Sequence, residues 1–432
     1  MAFYSPTSEE HGRISAVTAT KILQRMVQGE EKEEMKRHSA IVLKPSQTAN
    51  LSHKAFGQNV AFSKPIFDSS NGLMIVGTQE SVKLLSGPKR EVDGHKVLVS
   101  RLINNTGSSK DNDFGLFKIN RQFDTEKYKY SLYASKILPV TDVVHDLAWM
   151  THSKIALATG SSLTLMQINT WLQPGNAPLA QVTTEDLLNI INIDTLHTDD
   201  IRALQVHNVD DSYATIVTGG FDGMLKITKC DADGKAIEQM EHNCKKEVIG
   251  SIEFHKDWND VVSFTEDRGI LKLFDMKSNK VVMKYESMQA GMYTHAYDID
   301  GNVVCGFEVK KTGDCSMEFV DLRKVNSARY KPVCLFQQRD RHMKAIGHIC
   351  ITPHRSMSRI VNFGMPGLSV WDGVIQPEYC DLKHTCYHSP PTKRKKEAIP
   401  AQLDGDFIPY SDGQALGVTD HLGNFHIYNL PE

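Results

Sequence analysis

The chain has one stretch in which metal-ligating residue types crowd together, Cys380-Asp-Leu-Lys-His384-Thr-Cys386-Tyr-His388. In an extended strand, positions 384, 386 and 388 fall on one face. His384, Cys386 and His388, with Cys380 as a fourth ligand, therefore have the residue types of a Zn²⁺ site. Same-face neighbours in a straight strand stand about 6 to 7 Å apart, however, which is too far for three ligands each about 2 Å from one ion. The spacing matches no standard zinc motif, so the expectation is an ordinary outer strand with no metal and no cofactor.

Directly after it, two prolines precede the basic run Lys393, Arg394, Lys395 and Lys396 in a segment without apolar periodicity. It reads as a loop. The run fits a nuclear localisation signal, a phosphate-contacting finger or a merely solvated loop, and Ser389-Pro390 offers a hydroxyl whose phosphorylation would offset the charge. Catalytic motifs are absent: there is no Gly-x-Ser-x-Gly elbow, Walker loop or His-Glu-x-x-His. The carboxylate pairs Asp199-Asp200 and Asp210-Asp211 fall in turns, where Asp caps backbone N–H groups. The chain is expected not to be an enzyme.

Two apolar segments suggest helices. Ala19, Ile22, Leu23, Met26 and Val27 lie at helical spacing before the charge run Glu30 to Arg37, an amphipathic stripe for the chain's own core or for a partner's groove. In Thr-Thr-Glu-Asp-Leu-Leu-Asn-Ile-Ile-Asn-Ile, residues 183–193, a capping Thr and first-turn acids precede aliphatics. A short helix is expected there, with Leu187, Leu188 and Ile191 as partner-binding candidates beside Ile22, Leu23, Met26 and Val27.

These segments hang on a chain of 432 residues, enough for a large core. Its 49 Lys+Arg and 52 Asp+Glu leave a formal charge of -3, so the whole chain has no pull on phosphate backbones or anionic lipid. Direct nucleic-acid contact would have to be a local patch. No apolar run is long enough to span a membrane, and the start MAFYSPTSEE lacks the features of a secretory signal. A soluble protein of the cytoplasm, the nucleus or both is expected, with its eight cysteines reduced.

Self-similarity organises the rest. Seven short alternating strands align, Val82 to Leu85, Leu163 to Met166, Leu225 to Thr228, Leu271 to Phe274, Met317 to Val320, Leu368 to Trp371 and Phe425 to Tyr428, with two successive steps of 46 residues in the middle. Residues 196–230 show the unit best. His197-Thr-Asp-Asp leads into a strand from Ile201, a turn at 210–212 into a second strand Tyr213 to Gly220, and Phe221-Asp222-Gly223 makes a tight turn into the aligned strand. A fourth strand completes the unit.

The pattern resembles the WD40-repeat family of β-propellers over residues 38–430. The closing dipeptide stands intact at Trp371-Asp372. His197, Thr218 and Asp222 match the positions of the family's structural hydrogen-bond network, although Thr228 stands where that network has Trp. The resemblance implies an all-β fold, a single propeller with seven blades expected and eight possible if Gly115 to Ile119 forms another, preceded by an N-terminal extension with a short helix over 1–37. Closure is expected from an N-terminal strand, Ile41-Val42-Leu43, supplying the outer edge beside Phe425 to Tyr428. Seven blades need roughly 300 residues, so insertions are expected at 87–139, 172–196 and 373–398 of the propeller 38–432. The role implied is a non-enzymatic scaffold that holds other proteins in a multiprotein complex. The alternatives are a nuclear RNA- or chromatin-associated subunit using 393–396, and a propeller enzyme.

Overall fold

The computed structural model describes residues 41–50, 65–68, 73–78, 94–99 and 112–140 without 125–126. From 144 to 431 it describes the chain apart from 169–187, 389–402 and stretches of four residues or fewer. The chain divides into compact units at Met1–Ile41 and Val42–Glu432, and the second carries the sheets. The helix expected over Ala19 to Val27 lies outside the described residues, among which there is no helix and hence none long and apolar enough to cross a membrane.

The described chain forms seven sheets, named I to VII in the order of their first strands: I at 65–140, II at 144–193, III at 201–243, IV at 249–286, V at 290–340, VI at 345–388 and VII at 403–429. In sheets II to VI each strand pairs antiparallel with the next. The first strand of each sheet lies against the first strand of the following one, and that of sheet I lies against those of VII and II. The result is a β-propeller-like arrangement with first strands innermost.

Five sheets, II, III, IV, V and VII, are four-stranded blades, so the expectation of seven like-built blades is corrected to five. The count from aligned strands presumed that every such strand sits in the same kind of sheet. Sheet VI instead carries a fifth strand, ending at Val42, beside its outer strand. Sheet I has five strands and a parallel pair, Leu73–Thr78 with Gly94–Val99. Gly115 to Ile119 belongs to its strand Asn112–Asp124 and makes no separate blade, and Val82 to Leu85 lies outside the described residues.

Packing follows from strand alternation. Each strand turns every second side chain to one neighbouring sheet, and a separate apolar cluster fills every interval from II/III to VI/VII. Between III and IV, for example, Val217, Leu225 and Ile227 meet Ile249, Val262 and Phe264. Contact is close enough that a Cβ at Gly219 would lie 2.5 Å from Ile249 Cγ2. Sheet III matches its sequence reading: Ile201–Asp210, Tyr213–Gly220 and Met224–Asp231, with Gly223 at a φ of 70° in the tight turn.

Two expectations fail in instructive ways. Leu188–Ile193 is the outer strand of sheet II, antiparallel to Ser162–Ile168 with Leu163 opposite Ile193, and not part of a helix. Its β-branched Ile190, Ile191 and Ile193 and intervening Asn residues are weak helix formers, and a sheet edge was on offer. Closure does come from an N-terminal strand, but from Gln47–Asn50, opposite Asn424 to Ile427. Ser46 leads in, donating from its N–H and its hydroxyl to Ile427 O at 2.7 and 2.8 Å. Leu43 serves the neighbouring sheet VI, where its N–H donates to Tyr387 O at 2.7 Å.

Candidate functional site

The joints between sheets are built first by polar groups. His197 enters sheet III. Its Nδ1–H donates to Asp222 at 3.0 and 3.1 Å, and Nε2 accepts from the Thr218 hydroxyl at 2.8 Å. Asp222 also accepts from the N–H of Thr198 and of Met224, each at 3.0 Å. Burial pushes the His197 pKa down despite the carboxylate beside it. Burial raises that of Asp222, but the donated hydrogen bonds outweigh it and hold the carboxyl below its ordinary value. The three residues singled out from sequence are thus brought together, and Thr228, in place of Trp, is simply buried.

Trp371-Asp372 serves the corresponding place in sheet VI with different partners. Trp371 Nε1–H donates to Asp340 at 3.2 Å, Asn362 Nδ2 donates to the same oxygen at 2.9 Å, and the Ser369 hydroxyl is bonded there too. Asp340 lies just before the inner strand of VI, as His197 lies before that of III. Asp372 takes both Nε and Nη2 of Arg359, at 2.6 and 2.9 Å, and the Thr385 hydroxyl at 2.8 Å. Asp340, Asn362 and Arg359 were missed in the sequence because the arrangement read at His197, Thr218 and Asp222 contains no Asn or Arg and holds its Asp in a tight turn.

The Cys380 to His388 stretch forms the outer strand of sheet VI. A register shift sets Cys386 opposite Val370 but His384 opposite Trp371. Val370 and Trp371 are consecutive, so the bulge at Thr385 sends His384 and Cys386 to opposite faces. That corrects the shared face expected of 384, 386 and 388. His384 stacks beside Trp371 at 4.7 Å and His342 at 4.4 Å. Cys386 joins the VI/VII core, where burial pushes its thiol up to about 12. His388 Nδ1–H donates to Leu43 O at 2.9 Å. Among the described residues no group of three His, Cys, Asp or Glu is placed to share an ion.

One arrangement has the parts of nucleophilic catalysis. His295 Nδ1 and Nε2 lie 2.6 and 2.7 Å from the hydroxyls of Ser251 and Ser263. The imidazole is wholly buried between sheets IV and V, and burial pushes its pKa down to about 3. Such a ring is out of reach of substrate and a poor proton acceptor; it serves the joint.

The outward surface differs. Six large hydrophobics are exposed among the described residues: Tyr213, Phe221, Ile237, Trp258, Val282 and Met357. Four of them, Tyr213, Ile237, Trp258 and Val282, belong to the adjoining sheets III and IV and lie toward the same end. Tyr213 begins the second strand of III, opposite Asp231, which ends the third. Ile237 follows just across the next turn. Trp258 sits in the corresponding first turn of IV, and Val282 just after its second such turn.

Bulges explain the aliphatic pair. In the outer strand of III, Lys229 and Cys230 face Glu238 and Ala236, leaving Ile237 over; in IV, Leu273 and Phe274 face Met283 and Val281, leaving Val282 over. Both extra residues are 55 % exposed. In VI the extra residue is Thr385, whose hydroxyl is engaged by Asp372. The same device supplies a structural hydroxyl in one sheet and bare aliphatics in two others.

Of the remaining sequence candidates, Leu188 and Ile191 lie in the outer strand of sheet II. Ile22, Leu23, Met26, Val27, Leu187 and the basic run Lys393 to Lys396 lie outside the described residues. No protein-family model matches the chain, and no curated protein matches it. The class defined by the fold alone is therefore a β-propeller-like protein.

Proposed function

We propose that the chain is a non-enzymatic scaffold of WD40 type that holds partner proteins against sheets III and IV. The observation that carries this reading is that Ile237 and Val282, left over at the outer-strand bulges of two neighbouring sheets, are exposed toward the end at which Tyr213 and Trp258 are exposed too. Single exposed hydrophobics are ordinary, whereas several at one end of two neighbouring sheets give a rigid support on which a partner's apolar groups can be buried. The bulges also blunt both edges against strand addition, so a partner would be held through side chains. The WD40 assignment is supported by the His197, Thr218 and Asp222 network and by Trp371-Asp372.

The test is capture from native extract with wild-type chain and with the double variant Ile237→Lys, Val282→Lys. Proteins retained by the wild type and lost by the variant support the reading. An identical set with both, or a chain that retains nothing, sinks it.

A further inference from the structure

Trp258 is not simply an exposed ring. It lies flat on the imidazole of His255, ring centroids 4.1 Å apart and planes within 9°. His255 follows the inner strand of sheet IV and is itself buried. Its Nδ1 accepts two backbone hydrogen bonds from the turn it begins, from Asp257 N–H at 3.1 Å and from Trp258 N–H at 3.2 Å. The turn is completed by His255 N–H to Val261 O at 3.0 Å and Val261 N–H to Trp258 O at 2.9 Å. The ring's other neighbour is Tyr297 of sheet V, set edge-on at 5.1 Å.

We propose that His255 is a proton-operated latch on Trp258: the unprotonated ring fixes the turn and presents the indole, and protonation of Nδ1 releases both. An atom that accepts two N–H groups must carry a lone pair. A proton there converts two attractive contacts into two donors facing a donor, within a turn that has no substitute acceptor in the imidazole. The backbone of Asp257 and Trp258 must then turn away, taking the indole with it.

The groups facing the ring are Asp257 and Trp258 from its own turn and Tyr297, followed by the buried Asp298, from sheet V. Burial lowers the His255 pKa from its ordinary 6.5, and Asp257 opposes this in part. Since the closed turn binds the unprotonated ring, the latch is shut above that ordinary value. It weakens as pH falls below that value and is lost as pH falls through the lowered value of the closed turn.

The consequence for docking rests on the platform reading; the latch itself does not. The full chain holds four Trp, at 149, 171, 258 and 371, so ¹⁵N-tryptophan labelling gives four backbone and four indole signals, assigned by single Trp→Phe variants. Between about pH 7.5 and about pH 5, the Trp258 signals are expected to follow one protonation curve, with faster exchange of its backbone amide, while the others stay in place. In His255→Gln the acceptor no longer titrates, and the curve should vanish.

Trp258 signals that stay still in the wild type, that move only together with the other three, or that move unaltered in His255→Gln would overturn the proposal. The wild-type titration decides even if the variant does not fold. Partner capture repeated at both pH values separates the two ideas: a latch that moves while capture is unchanged upholds the latch and counts against the platform.

Discussion

Arg359, wholly buried in the second strand of sheet VI, donates from Nη2 to the Pro431 carbonyl beyond the third strand of sheet VII, 2.9 Å away. Nη1 reaches Gly413 O in the same sheet at 2.8 Å, and Asp372 neutralises the guanidinium from within VI. One side chain thus ties two sheets through carbonyls that no residue pattern could reveal. Arg359→Ala would leave the partly buried Asp372 with only the Thr385 hydroxyl as partner, at a cost of about 3 kcal/mol. Replacing Arg359 and Asp372 together by apolar residues of similar volume should cost clearly less. Urea unfolding of the single and double variants measures the difference; equal losses would mean that the pair is not coupled.

At the V/VI joint, three donors converge on Asp340. Trp371→Phe removes one of them and keeps a smaller aromatic ring, so lost hydrogen bond and lost packing together should cost about 1 to 3 kcal/mol. Asp340→Ala takes the shared acceptor from all three donors, leaving Trp371 and Asn362 their longer contacts to the Ser369 hydroxyl at 3.3 and 3.4 Å, and should cost more. After Asp340→Ala, the further change Trp371→Phe should cost clearly less than it does in the wild type, since chiefly the lost packing remains, which a double-mutant cycle in denaturant reads directly.

Sheet III invites the reverse experiment. Thr228 stands where the resembled family has Trp, yet it is buried in the third strand of the sheet, and the hydrogen bonds among His197, Thr218 and Asp222 form without it. Thr228→Trp should therefore destabilise, by about 1 to 3 kcal/mol from overpacking, despite restoring the consensus. A raised melting temperature would show that the joint has room the packing does not suggest.

Acid should loosen the IV/V joint. His295 is held neutral by burial, its pKa down to about 3 against an ordinary 6.5. The unfolded chain therefore takes up a proton that the folded chain refuses, and stability falls with pH below about 6.5, by roughly 1 kcal/mol per pH unit from this residue. His295→Gln should flatten that slope in urea unfolding at several pH values. A slope unchanged in the variant would place the acid sensitivity elsewhere.

How much could be read from sequence depended on what each residue faces. Third strands were legible because Leu225 and Ile227, and likewise Leu271 and Leu273, are buried between two sheets and keep an apolar alternation around Lys226 and Lys272. The closing strand was not, because Gln47-Thr-Ala-Asn pairs through backbone at an outer edge and needs no apolar pattern, whereas Ile41-Val42-Leu43 has the better strand composition. Residues 183–193 carry helix-start signals that the neighbouring strand Ser162–Ile168 overrode.

The joint networks were half legible for a further reason. What recurs, at four places in the described residues, is an acceptor carboxylate set among buried groups, and its position moves. It is Asp222 in a turn of III, Glu318 in the third strand of V, receiving Tyr285 at 2.6 Å, Asp340 before VI, and Asp420 in VII, receiving His426 at 2.9 Å. A pattern fixed in residue type and spacing finds only the first. The exposed set on III and IV was equally hidden, since a bulge, rather than any motif, turns Ile237 and Val282 outward.

The most direct measurement of the platform reading compares the wild-type chain with Ile237→Lys, Val282→Lys for binding to a purified partner recovered by the wild type. Both positions are exposed, so the variant's unfolding free energy should match the wild type within about 0.5 kcal/mol while binding is lost. Binding of undiminished strength by an equally stable variant would contradict the account.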